Sequence, residues 1–168
     1  MRVIGLAGWS GAGKTTLITR LIPWLAGQGL SVSTIKHAHH RLDLDTPGKD
    51  SWAHRQAGAA QVLVASATRM ALLTEHRGAP EPTLAELLGQ LAAVDLVLVE
   101  GFRTGPHPRI EVHRAARGGE WIFPASPDIR AVASDTPPPE AAPHPLHLDD
   151  IPAIGAAALR FAIPAAAL

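Results

Sequence analysis

The sequence predicts an α/β protein, a doubly wound and mostly parallel sheet with helices on both faces in a three-layer α/β/α arrangement. Three observations predict it. Strand-like and helix-like segments alternate along most of the 168 residues, as successive β-α-β units require. Asp95-Leu-Val-Leu-Val99 is a continuous apolar run without polar alternation, which suits a strand covered on both faces. Gly8 to Thr15 reads Gly-Trp-Ser-Gly-Ala-Gly-Lys-Thr and fits GxxxxGK(S/T), set between an apolar strand-like run and a helix-spaced one. That order of strand, loop and helix narrows the prediction to the P-loop NTPase type. One domain over residues 1–168 is expected, because 46% hydrophobic content supports a single core at this length.

Taken in order, Val3-Ile4-Gly5-Leu6-Ala7 is the first strand, and Leu17, Ile18, Leu21, Ile22 and Leu25 mark the first helix. Gly27 and Gly29 stop that helix, and residues 30–35 alternate as a second strand. A polar loop covers residues 36–50, where Asp50 or Ser51 caps a short helix reaching about Gly58. Residues 61–66 and 69–74 are short apolar runs parted by Ala67-Thr68, read as neighbouring strands of a hairpin. Pro80 and Pro82 interrupt the chain, then Thr83 caps a helix with an apolar face of Leu84, Leu87, Leu88 and Leu91. The Asp95 strand ends in Glu100-Gly-Phe-Arg103. Residues 109–113 and 129–133 are further strands, the second ending at Ser134-Asp135. The Pro-rich stretch 137–145 reads as a surface loop, and an Ala-rich helix from Asp149 or Asp150 to Ala162 stops before Pro164.

Composition removes several function classes. Without cysteine there is no disulfide, thiol catalysis or thiolate metal site. Fifteen basic and fifteen acidic residues balance to zero, which argues against nonspecific nucleic-acid binding. No apolar run approaches the roughly 18 residues of a membrane span, and the first residues lead into a strand without a signal-peptide pattern, so no membrane association and a cytoplasmic location are expected. The three lysines, Lys14, Lys36 and Lys49, all fall in the first 50 residues of a chain with twelve arginines. A chain that favours arginine elsewhere keeps lysine where a compact point charge meets phosphate.

In a parallel doubly wound sheet, ligands gather at the carboxyl ends of the strands, so the loops after the first, second, Asp95 and Ile129 strands are expected to face one crevice. Gly8, Ser10, Gly11, Ala12 and Gly13 belong to a loop whose backbone N–H groups surround a polyphosphate at a helix N-terminus. Lys14 then lies against the β- and γ-phosphates, Thr15 carries the hydroxyl that holds Mg²⁺, and Thr16 follows near the α-phosphate. Glu100 ends a buried strand beside the expected Mg²⁺ position, where P-loop proteins place the acid, usually Asp, that holds the metal or its water; metal and catalytic roles are assigned to it. Asp95, at the opposite end of that strand, is expected to be a surface residue.

A second cluster comprises Lys36, His37, His39, His40, Asp43, Asp45, Lys49 and Asp50. Three histidines within four positions invite a transition-metal reading, yet His40 would not share a strand face with His37 and His39, and no tight ligand spacing is present. The same residues suit an anionic ligand, with Asp43 and Asp45 turned to Mg²⁺ or water. Both readings stay open. Gly101, Phe102 and Arg103 are assigned with this cluster to a substrate or partner loop. Trp9 is expected either to cover a ring or to pack on the neighbouring helix, and His54 and Arg55 to be surface groups.

Together these residues resemble the molybdopterin-guanine dinucleotide biosynthesis protein B (MobB) family of P-loop GTPases. The resemblance rests on the loop at 8–15, on Lys-His-Ala-His-His followed by Asp-x-Asp-x-Pro-Gly-Lys-Asp-Ser, on Ala-Gly-Ala-Ala-Gln with Val-Ala-Ser, on Leu-Val-Glu-Gly-Phe-Arg, and on Ala-Val-Ala-Ser-Asp. Residues 115–128 and the Pro-rich stretch depart from the pattern, and nothing is carried onto them. The resemblance implies GTP binding with Mg²⁺, weak hydrolysis and a homodimer. It further implies a supporting role in attaching GMP to molybdopterin, with molybdopterin or its carrier and a MobA-type nucleotidyltransferase as partners. A full (N/T)KxD guanine signature is lacking; Ser134-Asp135 stands in the matching place, and the Asp135 carboxylate can accept from the guanine N1 and N2 groups. The residues alone give a Mg-nucleotide protein with a second anion-handling loop. They leave two alternatives: a small-molecule P-loop kinase with Arg103, Arg109 and Arg114 as lid arginines, and a metal-delivery GTPase using His37, His39 and His40 for nickel or zinc, against which the absence of cysteine counts.

Overall fold

Along β1 (Arg2–Ala7), Ile4 and Leu6 alternate with Val3, and all three are buried, so side chains on both faces of the strand are covered. The computed structural model describes residues 1–38, 45–103 and 105–168. Two compact units result, residues 1–37 with 83–168 and residues 38–82.

In the first unit β1 is followed by α1 (Lys14–Gly27) and β2 (Val32–Lys36). The second unit holds α2 (Asp50–Gln56), β3 (Gln61–Ala65) and β4 (Met70–Thr74). Back in the first unit come α3 (Leu84–Leu88), β5 (Leu96–Glu100), β6 (Arg109–His113), β7 (Ile129–Ser134), β8 (Pro145–His147), α4 (Ile151–Phe161) and β9 (Ile163–Pro164).

The sheet order is β2-β5-β1-β6-β7-β8, every neighbouring pair parallel, with β9 antiparallel beside the start of β1. Strand parity sorts the core into two layers. Ile4, Leu6, Leu96, Leu98, Ile110 and Val112 face α1 and α4, packing on Leu17, Leu21, Leu25, Ile154, Ala157 and Ala158. Val3, Val97 and Val99 face the other way, onto Ile35 and the α3 residues Leu84 and Leu88. Each fully buried aliphatic side chain stabilises by about 1.5–3 kcal/mol over its exposed state. The doubly wound, three-layer α/β/α architecture expected from the pattern is therefore present.

Local chemistry sets the boundaries. Thr83 caps α3 by a reciprocal box, its hydroxyl accepting from the Glu86 N–H while the Glu86 carboxylate accepts from the Thr83 N–H. Asp150 caps α4 by accepting from Ala153 N–H at 3.0 Å. Asp95 is the exposed strand-start residue expected, and it also accepts from both the N–H and the hydroxyl of Ser31, a link between the starts of β2 and β5 that holds its pKa below the usual range. Two short strands escape the sequence pattern. β8 begins at Pro145, the last residue of the stretch read as a Pro-rich loop, where proline is tolerated as the first residue of a strand; β9 is only two residues long. In the second unit β3 and β4 form the expected antiparallel hairpin as a two-stranded sheet of its own.

Candidate functional site

Parallel pairing in matched register brings three strand ends together. Leu6 and Lys36 both stand opposite Glu100, so the glycine-rich loop after β1 and the end of β2 flank this carboxylate. Gly11 and Gly13 have φ of 80° and 97°, left-handed conformations that favour glycine. At Gly8 a Cβ would lie 2.5 Å from the Val112 carbonyl oxygen, so the loop leaves β1 pressed against the neighbouring strand. Ala12 is buried beneath the loop, its N–H donating to the Trp9 carbonyl, while Thr16 is exposed on the first turn of α1.

The Lys14 ammonium curls back to donate to the carbonyls of Gly8 at 2.8 Å and Trp9 at 3.1 Å. Partial burial lowers its pKa below the ordinary lysine value; Glu100 opposes that shift, and Arg103 and Lys36 add to it. The Thr15 hydroxyl lies 3.3 and 3.2 Å from the two Glu100 oxygens, to which it donates. Glu100 is 14% exposed at its side chain, with the Lys36 ammonium 3.9 Å away. A helix N-terminus, an ammonium, a hydroxyl and the carboxylate that ends β5 thus meet beside one loop, a set suited to an oxyanion and a hard cation.

On the far side of β1, the segment after β6 folds onto the same loop. Arg117 Nε donates to the Ser10 carbonyl at 2.6 Å, and the Arg114 guanidinium lies 3.6 Å from where a Gly13 Cβ would stand. Asp135, just past β7, accepts from the Ala115 N–H at 2.8 Å and lies 3.7 Å from Arg114. Buried Glu111 supports this segment by accepting from the N–H groups of Ile122 and Phe123, both at 2.8 Å, while His113 stacks on Trp121 at 3.7 Å. Residues 115–128 carry no sequence motif, which is why sequence reasoning missed Arg117; the arginine spacing after a buried strand was its only trace.

Other assignments change. Trp9 is 42% exposed, donates its indole N–H to the Glu120 carbonyl and lies 5.7 Å from the Arg103 guanidinium. Arg109 is no lid residue, being 4% exposed and donating to the Arg103 carbonyl and the Ser126 hydroxyl. His37 donates its N–H to the Glu100 carbonyl and lies beside Phe102 at 4.6 Å, while Gly101, at φ 103°, leaves room for the His37 Cβ. Asp45 belongs to the second unit, where protein donors take up its carboxylate. Its 7%-exposed side chain accepts from Ser51 and from Arg55, and Arg55, 17% exposed at its side chain, also pairs with Glu75, so Arg55 is a paired, largely covered residue and not a surface group. Lys49 and Asp50 stand at the start of α2 in the same unit. His39, His40 and Asp43 lie outside the described residues. Among the described residues no three His, Asp or Glu side chains gather as metal ligands, and no helix is long and apolar enough to cross a membrane.

Fold and loop define the class, an α/β protein of the P-loop NTPase type. A solved structure of molybdopterin-guanine biosynthesis protein B (mobB) superposes with a TM-score of 0.74 at 26% identity, covering 94% of this chain and 98% of that one. Bacillus subtilis MobB superposes at 0.72 with 24% identity, over 95% of this chain and 97% of that chain, a likeness of fold. The family model MobB, Molybdopterin guanine dinucleotide synthesis protein B, matches residues 3–135, and the chain belongs to that family. The molybdopterin-guanine dinucleotide biosynthesis adapter protein of Escherichia coli is 43% identical over 140 residues, 80% of this chain and 79% of that protein. Its Haemophilus influenzae counterpart is 45% identical over 115 residues, 67% of this chain; the match spans 63% of that protein's length.

Proposed function

We propose that the chain binds GTP with Mg²⁺, hydrolyses it weakly, and acts as an adapter when a MobA-type nucleotidyltransferase attaches GMP to molybdopterin. The observation that carries the nucleotide part is the contact of Thr15 with both Glu100 oxygens beside Lys14. Hydroxyl and carboxylate oxygens are the hard donors Mg²⁺ takes, so Thr15 and Glu100 would hold it, Glu100 directly or through water. Bound there, the ion would neutralise charge on the phosphates. Lys14 exchanges its two carbonyl partners for phosphate oxygens, and the N–H groups of residues 10–16 orient the triphosphate. Glu100 orients the water for hydrolysis. Asp135 accepts from guanine. The loop at 36–50 recognises the anionic pterin phosphate or its carrier, supported by Lys36 and by Lys49 after the Pro47-Gly48 turn. The relatives' adapter description supports the pathway, and a cytoplasmic homodimer completes the reading.

Calorimetry with GTP and Mg²⁺ tests it. Lys14→Ala removes a charge-assisted contact of roughly 1.5–3 kcal/mol, at least tenfold in affinity. Thr15→Ala mainly abolishes the Mg²⁺ dependence, and Glu100→Gln binds but does not turn over. Undiminished GTP affinity in Lys14→Ala sinks the assignment.

A further inference from the structure

Resting on that nucleotide reading, we infer that Arg117, with Arg114 beside it, forms a guanidinium wall that grips the α-phosphate end of the nucleotide. The two flanks of the loop differ in chemistry. On the β5 side stand Thr15, Glu100 and Lys36, the cation-holding and terminal-phosphate side. On the β6 side stand Arg114, Arg117 and, beyond them, Asp135. A nucleotide with its terminal phosphates on the first flank must run its α-phosphate and ribose along the second.

Arg117 is built for that path. Its Nε is fixed on the Ser10 carbonyl at 2.6 Å, and a Gly11 Cβ would lie 2.9 Å from the same nitrogen, so the guanidinium rests directly on the loop's glycine face. Only one of its five N–H donors is used by this bond, which leaves the terminal nitrogens for anion oxygens in the planar fork that arginine presents and lysine does not. Arg114 is set over Gly13, and its far side meets Asp135. Asp135 in turn holds the Ala115 N–H, so a carboxylate of the opposite loop fixes the start of the arginine segment. Arg103, 5.7 Å from the Trp9 ring, adds further positive charge beside the loop.

The test compares GTP, GDP and GMP binding to Arg117→Ala, Arg117→Lys and Lys14→Ala by calorimetry, with thermal melting of the nucleotide-free proteins. Arg117→Ala is expected to weaken all three nucleotides about tenfold or more, since the α-phosphate is common to them. Lys14→Ala weakens GTP and GDP and spares GMP. Arg117→Lys recovers only part of the loss, because a point charge replaces a fork. Arg117 is exposed, so the melting temperature stays within a degree or two of the parent. Parental affinity of Arg117→Ala for GMP and GTP, alongside a Lys14→Ala defect, overturns the inference and leaves the nucleotide reading standing. Parental GTP affinity in Lys14→Ala overturns the nucleotide reading itself. A full rescue by Arg117→Lys would reduce Arg117 to a contributor of general charge, against the proposal.

Discussion

His107 shows how a single side chain sets a condition on the whole fold. It is fully buried with neither ring nitrogen hydrogen-bonded, and a Cβ on Gly5 would lie 2.5 Å from its Nε2, which explains a glycine in the middle of a buried strand. Burial first, and Arg109 second, lower its pKa to about 4. The unfolded chain takes up a proton near pH 6.5 whereas the folded one does so only near 4, so stability falls as pH drops through that window. Between pH 7 and 5 the loss is about 2 kcal/mol. Urea unfolding at the two values should find it in the parent and find it largely gone in His107→Leu; an unchanged pH dependence in the variant removes His107 as the cause. None of this was legible in the sequence, where a histidine between two prolines reads as a loop residue. Glu100 was legible, because a strand buried on both faces needs a reason to end in an acid.

Among the elements, the contact of α1 with α4 depends on an absent side chain. At Gly155 a Cβ would stand 2.1 Å from the Trp24 ring, so the helices approach closely because one position is bare. Alanine there gains about 1 kcal/mol of helix propensity over glycine. Displacing a packed indole costs typically 1–3 kcal/mol, and the overlap is severe, so the clash wins. Gly155→Ala should lower stability in urea and change Trp24 fluorescence, and adding Trp24→Leu should recover most of the loss. Additive losses in the double variant would refute the pairing. Periodicity identified both helices from Leu17, Leu21 and Leu25 and from the Ala-rich C-terminal run, yet it treats glycine as a mere weakness. What periodicity misses is which helix faces the gap. The same limit hid β8, since three residues beginning with proline carry no alternation, and residues 115–128, which are held by the buried Glu111 carboxylate through backbone N–H groups that leave no pattern in the sequence.

For the whole molecule, the chain divides into two compact units, and the residues proposed for the nucleotide and most of those proposed for the partner loop belong to different ones. The first unit contains the glycine-rich loop, Glu100 and the arginine segment. In the second, Arg55 pairs with both Asp45 and Glu75. Lys49→Ala and His39→Ala are accordingly expected to leave GTP affinity nearly intact while guanylation of molybdopterin falls in a reconstituted assay with the nucleotidyltransferase. Stoichiometric zinc or nickel in untagged protein, lost on substituting His37, His39 and His40, would instead favour metal delivery.

The ammonium of Lys14, parked on the Gly8 and Trp9 carbonyls, carries a consequence for the energetics of filling the loop. Its proton is held less firmly than that of an ordinary lysine. On the nucleotide reading proposed above, an arriving polyanion restores the preference for the charged form, so association is expected to be accompanied by net proton uptake at alkaline pH, and affinity to decline as pH rises toward the lysine range. Calorimetric heats in buffers of different ionisation enthalpy would register that uptake, and it would vanish in Lys14→Ala. A loop that holds its cation against its own carbonyls would, on that reading, be coupled to the solvent through a hydrogen ion as well as through its ligand.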